Sequence, residues 1–138
     1  MNSIKTLLAA GVLVMATGLA LADDVKVKLT GADEVPPVTT SATGMGTITI
    51  GADKSVTGSV KTTGVEGVAA HIHQAAAGKN GPPIITLTKG ADGAWTVPAG
   101  SALTDAQLAA YKAGELYVNV HSAANKGGEI RAQLKPGK

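Results

Sequence analysis

Apolar and polar residues alternate with period two along most of the chain, and that pattern predicts strands. In residues 25–29, Val25, Val27 and Leu29 alternate with Lys26 and Lys28, as in a strand with one wet face. Residues 44–50 and 55–61 repeat the alternation on either side of the turn formers Gly51-Ala52-Asp53-Lys54, which predicts a hairpin. Further strands are expected over 68–74, 84–88, 115–121 and 129–134, with a short one at 95–97. Glu34-Val35-Pro36-Pro37-Val38 cannot lie inside a sheet, because neither proline can donate to a ladder, so it reads as an extended connection or an edge. Residues 78–83 are rich in turn formers and read as a loop.

One segment breaks the period. Thr104 with Gln107 three residues later is a capping-box arrangement, Leu108 and Tyr111 fall on one helical face, and Gly114 suits the position just past a helix end. A single helix is expected over 104–113. Many short strands separated by turn signals imply an antiparallel sandwich or barrel.

The first 22 residues read differently. Lys5 precedes an apolar run from Leu7 to Leu21, and Ala20-Leu21-Ala22 offers a small-x-small cleavage site before Asp23. These are the parts of a secretory signal peptide, and the run is short for a membrane span. The expected mature domain is residues 23–138, one domain of 116 residues placed in the periplasm or secreted, with no membrane span after cleavage.

Composition then excludes whole classes. Losing Lys5 from 12 basic residues against 10 acidic ones leaves the mature chain at +1, with no basic stripe for nucleic acid. There is no cysteine, hence no disulfide and no thiolate metal site, and Phe is absent, with only Trp95, Tyr111 and Tyr117 to stack on a base or sugar. Ser122 follows His121, but nothing resembles a nucleophile elbow. Gly78-Lys79-Asn80-Gly81 lacks the Walker pattern, and no glycine-rich dinucleotide fingerprint opens a helix.

The three histidines remain. Side chains alternate across a strand, so His71 and His73 share a face with Cβ atoms roughly 6.5–7 Å apart, close enough for both rings to lean toward one ion. In the later strand, Val118 and Val120 are expected in the core, leaving Tyr117, Asn119 and His121 on the wet face. Parity in the last strand sends Ile130, Ala132 and Leu134 inward and Glu129, Arg131 and Gln133 to that same wet face. If strands 68–74 and 115–121 are neighbours, the histidines converge. A histidine-only site suits copper first and zinc as the alternative, with Asn119, Glu129, Arg131 or a backbone carbonyl placed to orient the rings. Without an ion, the same residues are a polar strand face, with His121 capping a turn or bonding to Glu129.

Leu29-Thr30-Gly31-Ala32-Asp33-Glu34-Val35-Pro36-Pro37-Val38, then Ala70-His71-Ile72-His73 with Gly78-Lys79-Asn80-Gly81-Pro82, and finally Leu116-Tyr117-Val118-Asn119-Val120-His121-Ser122 with Gly128-Glu129-Ile130-Arg131-Ala132-Gln133-Leu134 together resemble the CHRD (chordin-type) domain family. The resemblance runs in order over nearly all of residues 25–134. It departs at Gln74-Ala75-Ala76-Ala77, where the family usually has an early glycine, and at Ala123-Ala124-Asn125-Lys126, where it often has an aromatic and a proline. The resemblance implies an all-β, immunoglobulin-like or Cu,Zn-superoxide-dismutase-like sandwich with one short helix, in an extracellular module or a small secreted bacterial protein. The dismutase copper site also uses a strand His-x-His, but its bridging histidine, zinc ligands and disulfide have no counterparts here. The expectation is therefore a non-enzymatic protein that holds one copper ion on His71, His73 and His121 for storage, buffering or delivery. The alternatives are a metal-free module that docks another extracellular or periplasmic protein and, third, a copper-only dismutase-like enzyme.

Overall fold

The computed structural model describes residues 22–137, so the expected leader lies outside the described residues except for Ala22. Nine strands and one helix follow in order: β1 (Asp23–Thr30), β2 (Thr43–Ile50), β3 (Val56–Thr63), β4 (Gly67–Gln74), β5 (Pro83–Thr86), β6 (Thr88–Lys89), β7 (Ala94–Thr96), α1 (Asp105–Lys112), β8 (Leu116–Ser122) and β9 (Ile130–Gln133). Among the described residues, no helix is long and apolar enough to cross a membrane.

All nine strands belong to one antiparallel sheet, in the order β5-β4-β8-β9-β1-β2-β3-β7-β6. The expected hairpin is β2–β3, in register from Thr43 opposite Thr63 to Ile50 opposite Val56. The expected strand 84–88 is broken at Leu87, and the break explains how the sheet curls. Residues before Leu87 pair with β4, residues after it pair with β7, and the two sheet edges are thus consecutive pieces of chain. Leu87 is buried and donates its N–H to the Ala70 carbonyl at 2.9 Å, so the sheet nearly closes on itself.

The alternation seen in the sequence fills the interior. Val25, Val27 and Leu29 of β1, Ile48 and Ile50 of β2, Ala70 and Ile72 of β4, Val118 and Val120 of β8, and Ile130 and Leu134 around β9 are all buried together with Trp95. Burying each large aliphatic side chain stabilises the fold by about 1.5–3 kcal/mol before entropy is charged against it. The helix is where the capping residues place it. Thr104 Oγ1 accepts from Gln107 N at 3.1 Å, and Gln107 Oε1 accepts from Thr104 N at 2.9 Å. Gly114, at φ +77°, takes the left-handed position past its end.

One expectation needs correction. The polar face of β8 and β9 is not wet: Tyr117 and Asn119 are 2% exposed and Arg131 is 1% exposed. Parity put these residues on the right face, but the loops 31–42 and 75–82 cover it. Asn80 ties the two loops together by donating from Nδ2 to the Val35 carbonyl at 2.9 Å while accepting from Arg131 Nη1 at 2.9 Å. Strand β8 is therefore buried on both sides, apolar on one and polar on the other.

Candidate metal centre

β4 and β8 are neighbours because Ala70 and Ile72 face the same core as Val118 and Val120. Their register sets His73 opposite Tyr117, His71 opposite Asn119 and Ala69 opposite His121. The three imidazoles then gather on the opposite side of the sheet from the core. Ring centroids are 5.4 Å apart for His71 and His73, 4.9 Å for His71 and His121, and 5.7 Å for His73 and His121. One nitrogen from each ring lies within 4.8 Å of the other two. Tetrahedral coordination at about 2 Å needs ligand nitrogens about 3.3 Å apart. His71 Nδ1 and His121 Nε2 are already at 3.1 Å, so small ring rotations suffice for the rest.

Two backbone carbonyls set the tautomers. His73 Nδ1–H donates to the Gly81 carbonyl at 2.9 Å, and His121 Nδ1–H donates to the Lys126 carbonyl at 2.8 Å. A carbonyl only accepts, so both Nε2 atoms carry a lone pair, that of His121 facing His71 Nδ1 at 3.1 Å. His73 Nε2 is buried without any hydrogen-bond partner, a state that costs about 1–3 kcal/mol unless something binds there. Burial, followed by the neighbouring His121 and His73, holds His71 below the usual histidine range. Burial also lowers His73, against the opposing hydrogen bond to Gly81. Both rings are thereby kept neutral, the form that ligates a metal. The donor set of three neutral imidazoles, with one orphaned lone pair among them, fits a copper or zinc ion.

Two of the residues expected to orient the rings, Glu129 and Arg131, are engaged elsewhere. Glu129 is buried and accepts from Ser122 Oγ at 2.7 Å, Thr40 Oγ1 at 2.8 Å and Asn125 Nδ2 at 3.3 Å, so it ties loops together and makes no bond to a histidine. These bonds, Ser122 foremost, hold its carboxyl below the ordinary range. Arg131 lies flat on Tyr117, its guanidinium carbon 3.4 Å from the ring centre, and donates to Asn80 Oδ1 and to the Lys79 carbonyl. Tyr117 in turn stacks on His73 at 4.7 Å with planes 3° apart, making a row across β4, β8 and β9. Asn119 is buried, with its Oδ1 unpartnered.

Sequence reading put Tyr117 on this face without giving it a part in the site, and gave none to Gly81 or Glu34. Gly81 is pinned between His73 and Tyr117, whose hydroxyl accepts from Gly81 N at 3.1 Å, and a Cβ there would collide with the Gln74 carbonyl. The available signal was the glycine after Asn80, a place where only backbone fits. Glu34 is 4% exposed, and burial pushes its carboxyl up to about 7 against the pull of Arg131 and Asn119. Gly128, at φ +125°, leaves it room, since a Cβ there would overlap the Glu34 carboxylate and the Asn119 amide. Glu34, Val35, Pro36 and Pro37 form one wall of a cleft of about 790 Å³ whose other wall includes His73 and His121, so the cluster opens onto a concavity.

Comparison with known families finds that the model of the CHRD domain matches residues 25–134. Searches of curated proteins and of solved structures returned no significant match.

Proposed function

The chain belongs to the CHRD domain family, and from that premise and the geometry of the histidines we propose that it is a secreted or periplasmic module holding one transition metal, copper(II) by preference and zinc as the alternative, on His71, His73 and His121. Its role on this reading is storage, buffering or delivery, and not turnover. The observation that carries the reading is the gathering of three imidazole nitrogens within 4.8 Å, with the Nε2 of His73 buried and unpartnered. Copper is preferred because imidazole ligands follow the affinity order in which Cu(II) exceeds Zn(II). The apolar run and cleavage site of residues 1–22 support export. The nearly closed sheet, with its edges joined through Leu87, supports a flattened sandwich of the immunoglobulin-like or dismutase-like kind.

Titration of untagged protein with Cu(II), followed by calorimetry and by the nitrogen splitting of the copper EPR signal, tests the proposal. A 1:1 complex with three nitrogen ligands is expected, weakened strongly in His71→Ala, His73→Ala and His121→Ala. A His71→Ala protein that binds as tightly as wild type sinks it. A second reading is a metal-free module for an extracellular or periplasmic partner protein. It draws on the 3.1 Å contact between His71 Nδ1 and His121 Nε2, which satisfies two of the nitrogens without an ion. It predicts no saturable copper binding, and a partner lost when the histidine face is changed.

A further inference from the structure

The ladder between β1 and β9 consists of a single pair, Thr30 with Arg131. Beyond it the strands part and leave a pocket of about 340 Å³ on the sheet face, lined by Lys26, Lys28, Arg131, Gln133, Lys135 and Asp33 among others. No ladder pair forms beyond it, and the same register extrapolated past the end of β9 leaves Lys28 on the side of Gln133 and Lys26 on that of Lys135, across the pocket. Like charges across neighbouring strands are destabilising unless something neutralises them. Among the described residues none forms an ion pair with these four cations, the pairs there being Lys54–Asp105 and Lys89–Glu66, and the carboxyl that Arg131 attracts is that of Glu34, which does not line the pocket. Asp33 is engaged by Thr30 Oγ1 at 3.1 Å. Four cations against one acid thus meet in one concavity of a chain that is otherwise close to neutral.

We propose that this pocket is an oxyanion site that takes a phosphate group. Arg131 forms its fixed part: it is 1% exposed and held by Asn80, Lys79 and Tyr117, so it contributes a positive charge set at one place beside the pocket. The lysines form the adaptable part, as exposed ammonium groups on long stems around it. Cations arriving from two strands suit a tetrahedral anion with several oxygens better than a planar carboxylate with two. The volume far exceeds the ~30 Å³ share of a water molecule, which leaves room for part of the group that carries the phosphate. The site meets the histidine cluster only through the row of Arg131, Tyr117 and His73 and does not depend on a metal there.

The test is an amide-resolved NMR titration of the purified protein with inorganic phosphate at low ionic strength, with acetate as the comparison anion. Flotation with phosphatidylcholine vesicles, with and without phosphatidic acid, runs in parallel. Saturable shifts around residues 26–28 and 132–135 are expected with phosphate. Affinity should fall about tenfold in Lys26→Gln/Lys135→Gln, which is ~1.4 kcal/mol of charge-assisted bonding, and should hold in the charge-matched control Lys61→Gln/Lys112→Gln. Retention on phosphatidic acid vesicles, lost in the first variant and kept in the second, supports the site and assigns a lipid headgroup as the source. Binding of free phosphate without retention supports it and assigns a soluble phosphate compound. The proposal is overturned if neither probe binds, if acetate binds as well as phosphate, or if the control variant weakens binding as much as the pocket variant.

Discussion

Glu34 is 4% exposed, with Oε2 unpartnered and its carboxyl raised by burial to about 7 from an ordinary value near 4.5. A carboxyl raised in the folded state binds more protons folded than unfolded between those two values. Stability therefore falls as pH rises from 4.5 to 7 and levels off above, by about 3 kcal/mol at most. His71 and His73, lowered in the folded state, act in the opposite direction as pH rises toward 6.5. Comparison with Glu34→Gln at each pH cancels them. The variant is expected to gain on wild type as pH rises from 4.5 to 8 in urea unfolding, and a constant difference across that range would contradict the burial argument. Arg131 poses the converse problem, a buried cation whose direct partners are neutral oxygens and a tyrosine face. Arg131→Met leaves Asn80 Oδ1 and the Lys79 carbonyl without their donor and is expected to cost about 2–4 kcal/mol, read from the urea midpoint. Lysine should not rescue it, because an ammonium cannot lie flat on Tyr117 while reaching two acceptors.

At the scale of elements, strand parity read from alternation places every histidine on the face where the structure has it, and Thr104 with Gln107 marks the start of α1. Those features were legible because they rest on contacts between residues a few positions apart, or on a period that the core enforces. Replacing Thr104 by Ala is accordingly expected to cost about 1 kcal/mol in urea unfolding, with the far-ultraviolet spectrum nearly unchanged. The cover over the polar face was not legible. Loops 31–42 and 75–82 are held by Asn80 bonding to Val35 and Arg131, and by Thr40 bonding to Glu129, pairs separated by 45 to 89 positions with no periodic signature. A reader of alternation alone sees polar residues and infers water. The break at Leu87 was hidden for a similar reason, since an apolar run does not say when a strand changes partners. Gly81 shows how the loop serves the site. A side chain there would strike the Gln74 carbonyl and move the oxygen that holds His73 Nδ1. On the metal-binding reading, Gly81→Ala should weaken copper affinity about 10–100-fold, the usual effect of losing the group that orients a ligand histidine.

For the whole molecule, the histidine cluster joins β4 to β8, with His71 and His121 fifty positions apart. Such a pairing is expensive in loop-closure entropy and forms only when the sheet forms. The cluster therefore exists as a site in the folded chain and is scattered in the unfolded one. An ion that binds the gathered histidines stabilises the whole sheet by mass action, by about 2.7 kcal/mol at a hundred times the dissociation constant. For a domain of this size that shift is worth several degrees in the unfolding midpoint per kcal/mol. Copper(II) added to untagged protein is accordingly expected to raise Tm in a concentration-dependent way, and to do nothing in His71→Ala/His73→Ala/His121→Ala. The triple variant without metal leaves the Gly81 and Lys126 carbonyls without their imidazole donors and starts from a lower Tm, so the copper effect is read within each protein, with against without the ion. A copper-induced rise that persists in the triple variant would locate the ion elsewhere. No rise in either protein would leave the cluster as a hydrogen-bonded histidine face, available to a protein partner.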